Sequence, residues 1–256
     1  MRITFLGTGT SQGVPVIACN CKVCMSENPK DNRLRTSILV QTKKTTIVID
    51  TGPDFRQQML RANVQQLDAV VFTHEHKDHI AGLDDVRAFN FKQKSVLPIY
   101  ATSEVQSALI REFHYAFSEY KYPGVPELKL HTIDDTPFTI GDIDLIPISV
   151  WHYKMPVKAF RVDNFAYITD ANKIDDEELE KIKGAEIIVL DALRKEKHIS
   201  HYNLDEAVEL LKMLNPKKAY LIHISHLMGK HKEVQKELPN FIELAYDGLV
   251  LDTLSF

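Results

Sequence analysis

The stretch Thr73-His74-Glu75-His76-Lys77-Asp78-His79 directly follows the apolar run Ala69-Val70-Val71-Phe72. Three histidines and one aspartate lie within six consecutive residues of it. Burying a polar group without a partner costs on the order of a few kcal/mol, so packing alone cannot explain four of them. In an extended segment the first two histidines point the same way, whereas the aspartate and the last histidine fall at the start of the next helix. The pattern favours two adjacent metal-binding donor sets over a solvated polar loop.

A second group of potential ligands is the cysteine cluster Cys19-Asn20-Cys21-Lys22-Val23-Cys24, which contains all three cysteines of the chain. An odd number of cysteines this closely spaced favours a metal site over disulfides in a reducing compartment. The alternative is that the three cysteines are small buried hydrophobic residues. The spacing predicts three thiolate ligands of one metal ion.

The composition excludes several classes of protein. The chain has 256 residues, 31 basic and 35 acidic side chains and a formal charge of −4, which excludes a basic protein that coats nucleic acid. With 44% hydrophobic and 26% charged residues it is typical of a globular protein. The N-terminal run Met1–Leu6 reaches Gly7 too soon for a signal peptide, and no window approaches the roughly 18 apolar residues of a membrane span. We therefore expect a cytoplasmic protein with no membrane partner.

Short β-branched runs alternate with helical patterns along the whole chain. The predicted strands are Ile3–Leu6, Ser37–Gln41, Thr45–Asp50, Ala69–Thr73, Ile99–Ala101, Ile143–Ser149, Phe165–Thr169, Ile187–Leu190, Ala219–Ile224 and Leu249–Asp252. The predicted helices are Phe55–Ala62, Ser103–Phe117, Asp175–Ile182, Leu204–Leu214 and Lys230–Leu238. Helices between strands predict the α/β class, with two packed sheets covered by helices.

The histidine-rich stretch resembles the H-x-H-x-D-H signature of the metallo-β-lactamase superfamily. Further positions of the family pattern occur in the right order, each at or just after an apolar strand: Asp50 before this stretch, and His152, Asp170 and His223 after it. The resemblance extends from Phe5 to about residue 230. It implies an αββα sandwich, two central mixed sheets flanked by helices, as a single domain over residues 1–256.

This resemblance also implies a dinuclear metal site. The implied ligands are His74, His76 and His152 for one ion, Asp78, His79 and His223 for the other, and Asp170 as a bridge between them. A flavodiiron-type oxygen reductase would have Glu in place of His76, so hydrolysis is favoured over redox chemistry. Two divalent ions, Mn²⁺ or Zn²⁺, would attract a phosphoester, with a bridging hydroxide as the nucleophile.

A general acid for the leaving oxygen is expected near residues 191–207. Asp191 ends a predicted strand, and His198 and His201 precede a predicted helix. This segment resembles the phosphodiesterase branch of the superfamily, which includes ribonuclease Z. By register with that branch His201 is the catalytic acid and Asp191 orients it, while the role of His198 stays open. Asp191, His201 and the ligand Asp78 are thus the expected catalytic residues.

The cysteines and the sequence Gly82-Leu83-Asp84-Asp85 together resemble the PhnP-type cyclic phosphodiesterases. The fourth ligand of a structural Zn²⁺ at Cys19, Cys21 and Cys24 would then be His226, three residues after His223. The resemblance implies a homodimer that hydrolyses 5-phosphoribosyl 1,2-cyclic phosphate or 2′,3′-cyclic nucleotides, with nucleic acid not expected as a partner.

Three other functions stay open at the level of sequence. Ribonuclease Z, a tRNA 3′-processing endonuclease, typically has Gly-Leu-Pro-Gly where this chain has Gly82–Asp85, and a long tRNA-binding arm that is not visible here. A non-phosphate metallohydrolase, such as a thioesterase, would not need the second acid His201. A zinc-stabilised binding scaffold would not need all seven dinuclear ligands.

Overall fold

The computed structural model describes residues 1–252, which form two facing β-sheets with helices on both outer faces. The strands are β1 (Arg2–Gly7), β2 (Ser37–Gln41), β3 (Thr46–Ile49), β4 (Ala69–Val71), β5 (Leu97–Ala101), β6 (Leu128–Thr132), β7 (Phe138–Ile140), β8 (Ile143–His152), β9 (Met155–Val162), β10 (Phe165–Ile168), β11 (Lys173–Ile174), β12 (Ile187–Asp191), β13 (Lys218–Ile222), β14 (Ile242–Leu244) and β15 (Val250–Asp252). The helices are α1 (Phe55–Arg61), α2 (Lys77–Ile80), α3 (Arg87–Gln93), α4 (Ser103–Glu112), α5 (His114–Phe117), α6 (Asp176–Ile182), α7 (Leu204–Leu214) and α8 (His231–Val234). The predicted α/β class and αββα sandwich are confirmed.

Both sheets are mixed, and each has a block of parallel strands. The first sheet has the order β15-β1-β2-β3-β4-β5-β6, in which β3, β4, β5 and β6 run parallel to one another. The second has the order β11-β8-β9-β10-β12-β13-β14, with β10, β12, β13 and β14 parallel and β7 paired to β8. Ligands bind beyond the carboxyl ends of parallel strands in open α/β sheets, so this edge is where a site is expected.

Three apolar clusters hold the layers together. One lies between the sheets and contains Phe5 and Tyr167, both fully buried. A second packs α1, α3 and α4 on the first sheet, for example Phe89. A third packs α6 and α7 on the second sheet through residues such as Leu190 and Leu211. Because the strands are covered on both faces, they read as continuous apolar runs in the sequence.

Several predicted elements differ from the observed ones. The predicted helix Ser103–Phe117 is interrupted at Phe113, whose backbone leaves helical geometry between α4 and α5. The predicted helix Lys230–Leu238 is helical only over α8. Strand β9 has no counterpart among the predicted strands, and it contains Pro156, which cannot donate a backbone hydrogen bond to a sheet. In the structure Pro156 lies near the end of the ladder, opposite Trp151.

Helix α7 begins beside the predicted acid His201 and has a well-formed N-terminal cap. Asn203 Oδ1 accepts a hydrogen bond from the Glu206 N–H at 2.8 Å, and Glu206 Oε2 accepts one from the Asn203 N–H at 3.1 Å. This reciprocal capping box satisfies backbone donors that the first turn leaves free. At 11 residues α7 is the longest helix in the described chain, and no helix there is long and apolar enough to cross a membrane.

We expect Asn203→Ala to lower the free energy of unfolding by about 1 kcal/mol, because the Glu206 N–H loses its acceptor. Urea denaturation monitored by circular dichroism measures this change. Asn203→Ser is the matched control, since a serine hydroxyl also caps and should restore most of the stability. Equal losses in both variants would contradict a capping role for Asn203.

Candidate active site

The predicted site residues come together where strands of both sheets end. Asp50 follows β3, His152 ends β8, Asp170 follows β10 and His223 follows β13. Asp50, Asp170 and His223 have left-handed backbone, with φ of 65°, 53° and 55°. Left-handed backbone is strained in residues other than glycine and is concentrated at functional sites. The chain therefore turns sharply at each of these strand ends and places the side chains in one cluster.

The Asp170 carboxylate lies at the centre of this cluster. Its Oδ2 is 3.2 Å from His79 Nε2 and 3.2 Å from His223 Nδ1. Its Oδ1 is 4.0 Å from His74 Nε2 and 3.9 Å from His201 Nε2. The two oxygens of one buried carboxylate thus face two different groups of histidines, which is the arrangement that a bridging ligand requires.

The first group, on the Oδ2 side, has four donor atoms within 4.8 Å of one another: those of Asp78, His79, Asp170 and His223. The second group lies on the Oδ1 side. There the His76 ring is 4.6 Å from the His74 ring and 5.1 Å from the His152 ring, between centroids. All seven residues predicted as dinuclear ligands are therefore adjacent in the structure.

Three of these histidines have one ring nitrogen held by a neighbouring group. The bonds are His74 Nδ1 to Thr73 Oγ1 (2.9 Å), His79 Nδ1 to Asp50 Oδ2 (2.7 Å) and His152 Nδ1 to the Ser200 carbonyl (2.7 Å). Metal-binding histidines usually make such a bond with the nitrogen that does not contact the metal, which fixes ring orientation and tautomer. Each ring therefore directs Nε2 into the cluster.

Several buried histidine nitrogen atoms lack hydrogen-bond partners within residues 1–252, and this shows whether metal ions fit the site. His74 Nε2, His79 Nε2 and His223 Nδ1 are fully buried and make no hydrogen bond within the described residues. Buried polar atoms are normally satisfied, because leaving one unpaired costs roughly 1–3 kcal/mol. All three atoms lie near Asp170. Divalent cations coordinated by these atoms and by Asp170 would satisfy them, so the residues present fit the metal ions.

The ionisable groups of the cluster combine neutral histidines with a surplus of negative charge. Burial lowers the pKa of His74 and brings that of His223 to about 4, so both rings are neutral and able to coordinate. Burial would raise the pKa of Asp170, but His223 and His79 outweigh it and lower that pKa. Burial likewise opposes a positive His79, yet the carboxylates of Asp170 and Asp78 raise its pKa, so this ring holds a proton that a bound metal ion would displace. The cluster is thus a region of negative potential.

His201 lies at the edge of the cluster and faces Asp191. Its Nδ1 is 3.5 Å from Asp191 Oδ2, while Asp191 Oδ1 accepts a hydrogen bond from the Ala171 N–H at 2.9 Å. Burial raises the pKa of Asp191 to about 6. Burial would lower the pKa of His201, but Asp191 and then Asp170 raise it above its usual value. The ring therefore favours the protonated form that a general acid needs.

The position of His201 allows a second role. Its donor atom lies within 4.8 Å of those of His152 and Asp170, so it could also coordinate an ion. The His198 ring lies 5.3 Å from His201 between centroids, on the exposed side. Sequence reasoning considered His201 only as an acid, because spacing along the chain does not show how close it comes to Asp170.

An open cleft of about 480 Å³, called here the metal cleft, leads to this cluster. It is lined by His76, His152, Tyr153, Lys154, Met155, Ile199 and Ser200. Sequence reasoning did not assign Met155 or Ile199 to the site. Their positions next to predicted site residues were the available signal, since Met155 follows His152 by three residues and Ile199 precedes His201 by two.

The cysteine cluster forms a separate four-donor group. His226 Nδ1 lies 3.2 Å from Cys19 Sγ and 3.5 Å from both Cys21 Sγ and Cys24 Sγ. Tetrahedral zinc with ordinary bond lengths places sulfur and nitrogen ligands about 3.5 Å apart, so the donor set fits zinc. The Cys24 backbone N–H lowers the pKa of Cys21 to about 6, whereas burial raises that of Cys24 to about 11.

A short segment, residues 223–226, connects the two donor groups. Ile224 N–H donates to the Thr8 carbonyl at 3.0 Å, and Thr10 N–H donates to the Ile224 carbonyl at 3.2 Å. Ser225 N–H donates to the Leu193 carbonyl at 2.9 Å. His223 and His226 lie at the two ends of this hydrogen-bonded segment, so it connects the Asp170 cluster directly to the cysteine cluster.

Known proteins are similar to this chain in fold and in sequence. Residues 45–224 match the family model described as a β-lactamase superfamily domain. A crystal structure described as a new diphosphatase from the PhnP family superposes with a TM-score of 0.92 at 39% identity, covering 98% of this chain and 97% of that one.

Two curated relatives are longer than this chain. A protein of Porphyromonas gingivalis named octanoyltransferase is 39% identical over 252 residues, which are 97% of this chain and 51% of that protein. A ribonuclease Z of a Nostoc species is 28% identical over 166 residues, which are 63% of this chain and 46% of the enzyme. The chain thus spans about half the length of these two relatives.

We expect Asp50→Asn to weaken metal binding at the Asp170 cluster about ten-fold to a hundred-fold, because the charged partner of His79 is lost. Titration of the apoprotein with Zn²⁺ or Mn²⁺ in a competitive chelator measures the change. Asp144→Asn, an exposed carboxylate on β8 outside the cluster, is the control. Unchanged affinity in Asp50→Asn would show that Asp50 does not support the site.

Proposed function

The chain belongs to the metallo-β-lactamase superfamily and is a hydrolase close to the PhnP family. From this we propose that it is a metal-dependent phosphodiesterase that hydrolyses small cyclic diesters. The observation that carries the proposal is the Asp170 carboxylate, whose two oxygens face two separate histidine groups. The proposed substrates are of the 5-phosphoribosyl 1,2-cyclic phosphate or 2′,3′-cyclic nucleotide type.

The proposed ligand sets divide at Asp170. His74, His76 and His152 would hold one divalent ion, Asp78, His79 and His223 the other, and Asp170 would contact both. Two such ions, Zn²⁺ or Mn²⁺, would offset the negative charge of the diester and let water attack at neutral pH. The bonds of His74 to Thr73 and of His79 to Asp50 would keep the rings in place during turnover.

His201 would supply the proton that the leaving oxygen needs. Hydrolysis adds water to phosphorus and breaks one P–O ester bond, so the leaving alkoxide must gain a proton. The raised pKa of His201 keeps that proton available, and the buried Asp191 carboxylate, 3.5 Å from Nδ1, would orient the ring. His201 Nε2 then faces the Asp170 cluster, where the reacting phosphate would lie.

A small diester is favoured over a tRNA. The chain carries a net charge of −4, whereas nucleic-acid binding uses basic surfaces to neutralise phosphates. The PhnP-family diphosphatase is 39% identical to this chain over nearly the whole of both chains, whereas the Nostoc ribonuclease Z is 28% identical over 63% of this chain. The relative named octanoyltransferase is about twice as long as the region that matches this chain, which covers 51% of it. Its name therefore does not show that the matching half carries the octanoyltransferase activity.

We further propose that Cys19, Cys21, Cys24 and His226 hold one structural zinc ion. The sulfur-to-nitrogen distances of 3.2–3.5 Å support this, as do N–H donors to sulfur from Val16 to Cys24 and from Cys24 to Cys21. With three thiolates and one imidazole the coordination would be complete, leaving no position for substrate. Its role would be to fix residues 223–226.

We expect His201→Ala to keep both dinuclear ions but to lower kcat by about 100-fold or more on a diester with a poor leaving group, because the proton donor is lost. The loss should be much smaller with a 4-nitrophenyl leaving group, which departs without a proton. Steady-state kinetics and metal analysis of the same samples measure both effects. His198→Ala is the neighbouring control.

Equal rates for wild type and His201→Ala on the poor leaving group would contradict the acid role. Loss of one dinuclear ion from His201→Ala would instead identify His201 as a ligand.

We expect Cys21→Ser to remove one zinc ion per chain and to lower the melting temperature, because residues 223–226 lose their anchor. Metal analysis and thermal denaturation measure these changes. The dinuclear site should remain active when refilled with metal, since its own ligands are unchanged. An unchanged zinc content would show that the cysteine cluster is not a metal site.

A further inference from the structure

A second cavity of about 380 Å³, called here the side cavity, lies beside the metal cleft. His74, a proposed ligand, lines it, and Met155 lines both cavities. Its size falls within the range of about 300–1,000 Å³ that is usual for ligand pockets. A diester whose phosphate lies at the Asp170 cluster could therefore extend its organic group into this space.

The side cavity has an apolar floor and an acidic rim. Val105, Ile133 and Val157 form part of the floor and are at most 5% exposed. The described lining residues include three carboxylates and only one ammonium group, that of Lys158; the carboxylates are those of Glu75, Glu104 and Asp134. An amphipathic organic group fits such a floor and rim better than an anion does.

Lys158 is already paired and is not free to bind a phosphate. Its ammonium group donates hydrogen bonds to Asp135 and, at 2.8 Å, to Ser149 Oγ. Its side chain is 12% exposed, so it cannot easily leave these partners. The cation therefore neutralises Asp135 within the protein and adds little positive potential to the side cavity.

Helix α4 begins at the side cavity, but its N-terminus is also occupied. Thr102 Oγ1 accepts a hydrogen bond from the Val105 N–H at 3.4 Å. The pKa of Glu104 is lowered because its carboxylate accepts hydrogen bonds from its own N–H and from the hydroxyls of Thr102 and Ser103. A helix N-terminus normally attracts anions, but here the protein's own carboxylate has taken that position.

Asp134 has an oxygen available for a ligand. Its Oδ1 accepts hydrogen bonds from the Thr136 N–H at 2.7 Å and from Thr136 Oγ1 at 2.6 Å. Its Oδ2 has no hydrogen-bond donor among the described residues. Carboxylates of this kind accept hydrogen bonds from the exocyclic amino group of cytosine.

We propose that the side cavity selects the organic group of the diester, binding an amino-bearing nucleobase and rejecting a second phosphate. Asp134 acts as its specificity-determining carboxylate. This inference rests on the proposed phosphodiesterase function. Of the two proposed substrate types, it selects the 2′,3′-cyclic nucleotide over 5-phosphoribosyl 1,2-cyclic phosphate.

The test compares kcat/KM of the metal-loaded protein on 2′,3′-cyclic CMP, 2′,3′-cyclic UMP and 5-phosphoribosyl 1,2-cyclic phosphate. We expect cyclic CMP to exceed both others by about ten-fold, because uracil lacks the amino donor and the second phosphate meets carboxylates. In Asp134→Asn the preference over cyclic UMP should shrink. In Asp134→Lys the preference over the phosphoribosyl substrate should shrink or reverse.

Asp144→Asn and Asp144→Lys make the same charge changes at an exposed residue that does not line the side cavity, and they should keep the wild-type ratios. Equal ratios in the Asp134 and Asp144 variants, or a wild-type preference for the phosphoribosyl substrate, would overturn the inference. Bis(4-nitrophenyl) phosphate serves as a diester without a nucleobase. If bis(4-nitrophenyl) phosphate is hydrolysed but the expected kcat/KM ratios are not observed, only the side-cavity inference is wrong. If no diester is hydrolysed, the proposed function is wrong as well.

Discussion

The buried carboxylate of Asp170 imposes the main physical constraint on this protein. Its side chain is 2% exposed, and ring nitrogens of four histidines lie within 4.0 Å of it. Such a concentration of polar atoms in a low-dielectric interior is unfavourable unless the charges are paired and the lone pairs are used. Cations bound between the carboxylate and the imidazoles meet both needs. The αββα sandwich supplies the ligands because strands of both sheets end at this point.

The surrounding structure serves mainly to hold these side chains in position. Asp50 is bound to the Thr73 N–H, the Thr73 hydroxyl and His79, so one buried carboxylate supports both the turn after β4 and a proposed ligand. On the opposite side, residues 223–226 are bound to Thr8 and to the cysteine cluster. In a preorganised site of this kind the polar groups are already in position, so little solvent has to reorganise during the reaction. The free-energy cost is met during folding as backbone strain, which the left-handed backbone of Asp170 indicates.

Much of the fold and the cluster could be predicted from the sequence, because the informative signals are local. Three histidines and an aspartate within six residues do not depend on tertiary structure for recognition, and the further ligands each follow an apolar strand. The proximity of His201 to both Asp170 and Asp191 is different, since it results from packing between the loop before α7 and the end of β12. The side cavity could not be predicted from the sequence either, because it forms between the start of α4 and strand β9, which was not among the predicted strands. Strand β9 contains Pro156, a residue that is unfavourable inside a strand, and helix α4 ends at Phe113, earlier than the apolar pattern indicated.

We propose that Asp170 bridges two ions, and anomalous X-ray diffraction from crystals of the metal-loaded protein tests this most directly. Data collected at the zinc and manganese absorption edges locate each ion and identify its element. We expect two ions at the cluster, one against Oδ1 and one against Oδ2 of Asp170, with His79 and His223 on the Oδ2 side. A single ion at the cluster, or two ions of which either makes no contact with Asp170, would contradict the proposed site.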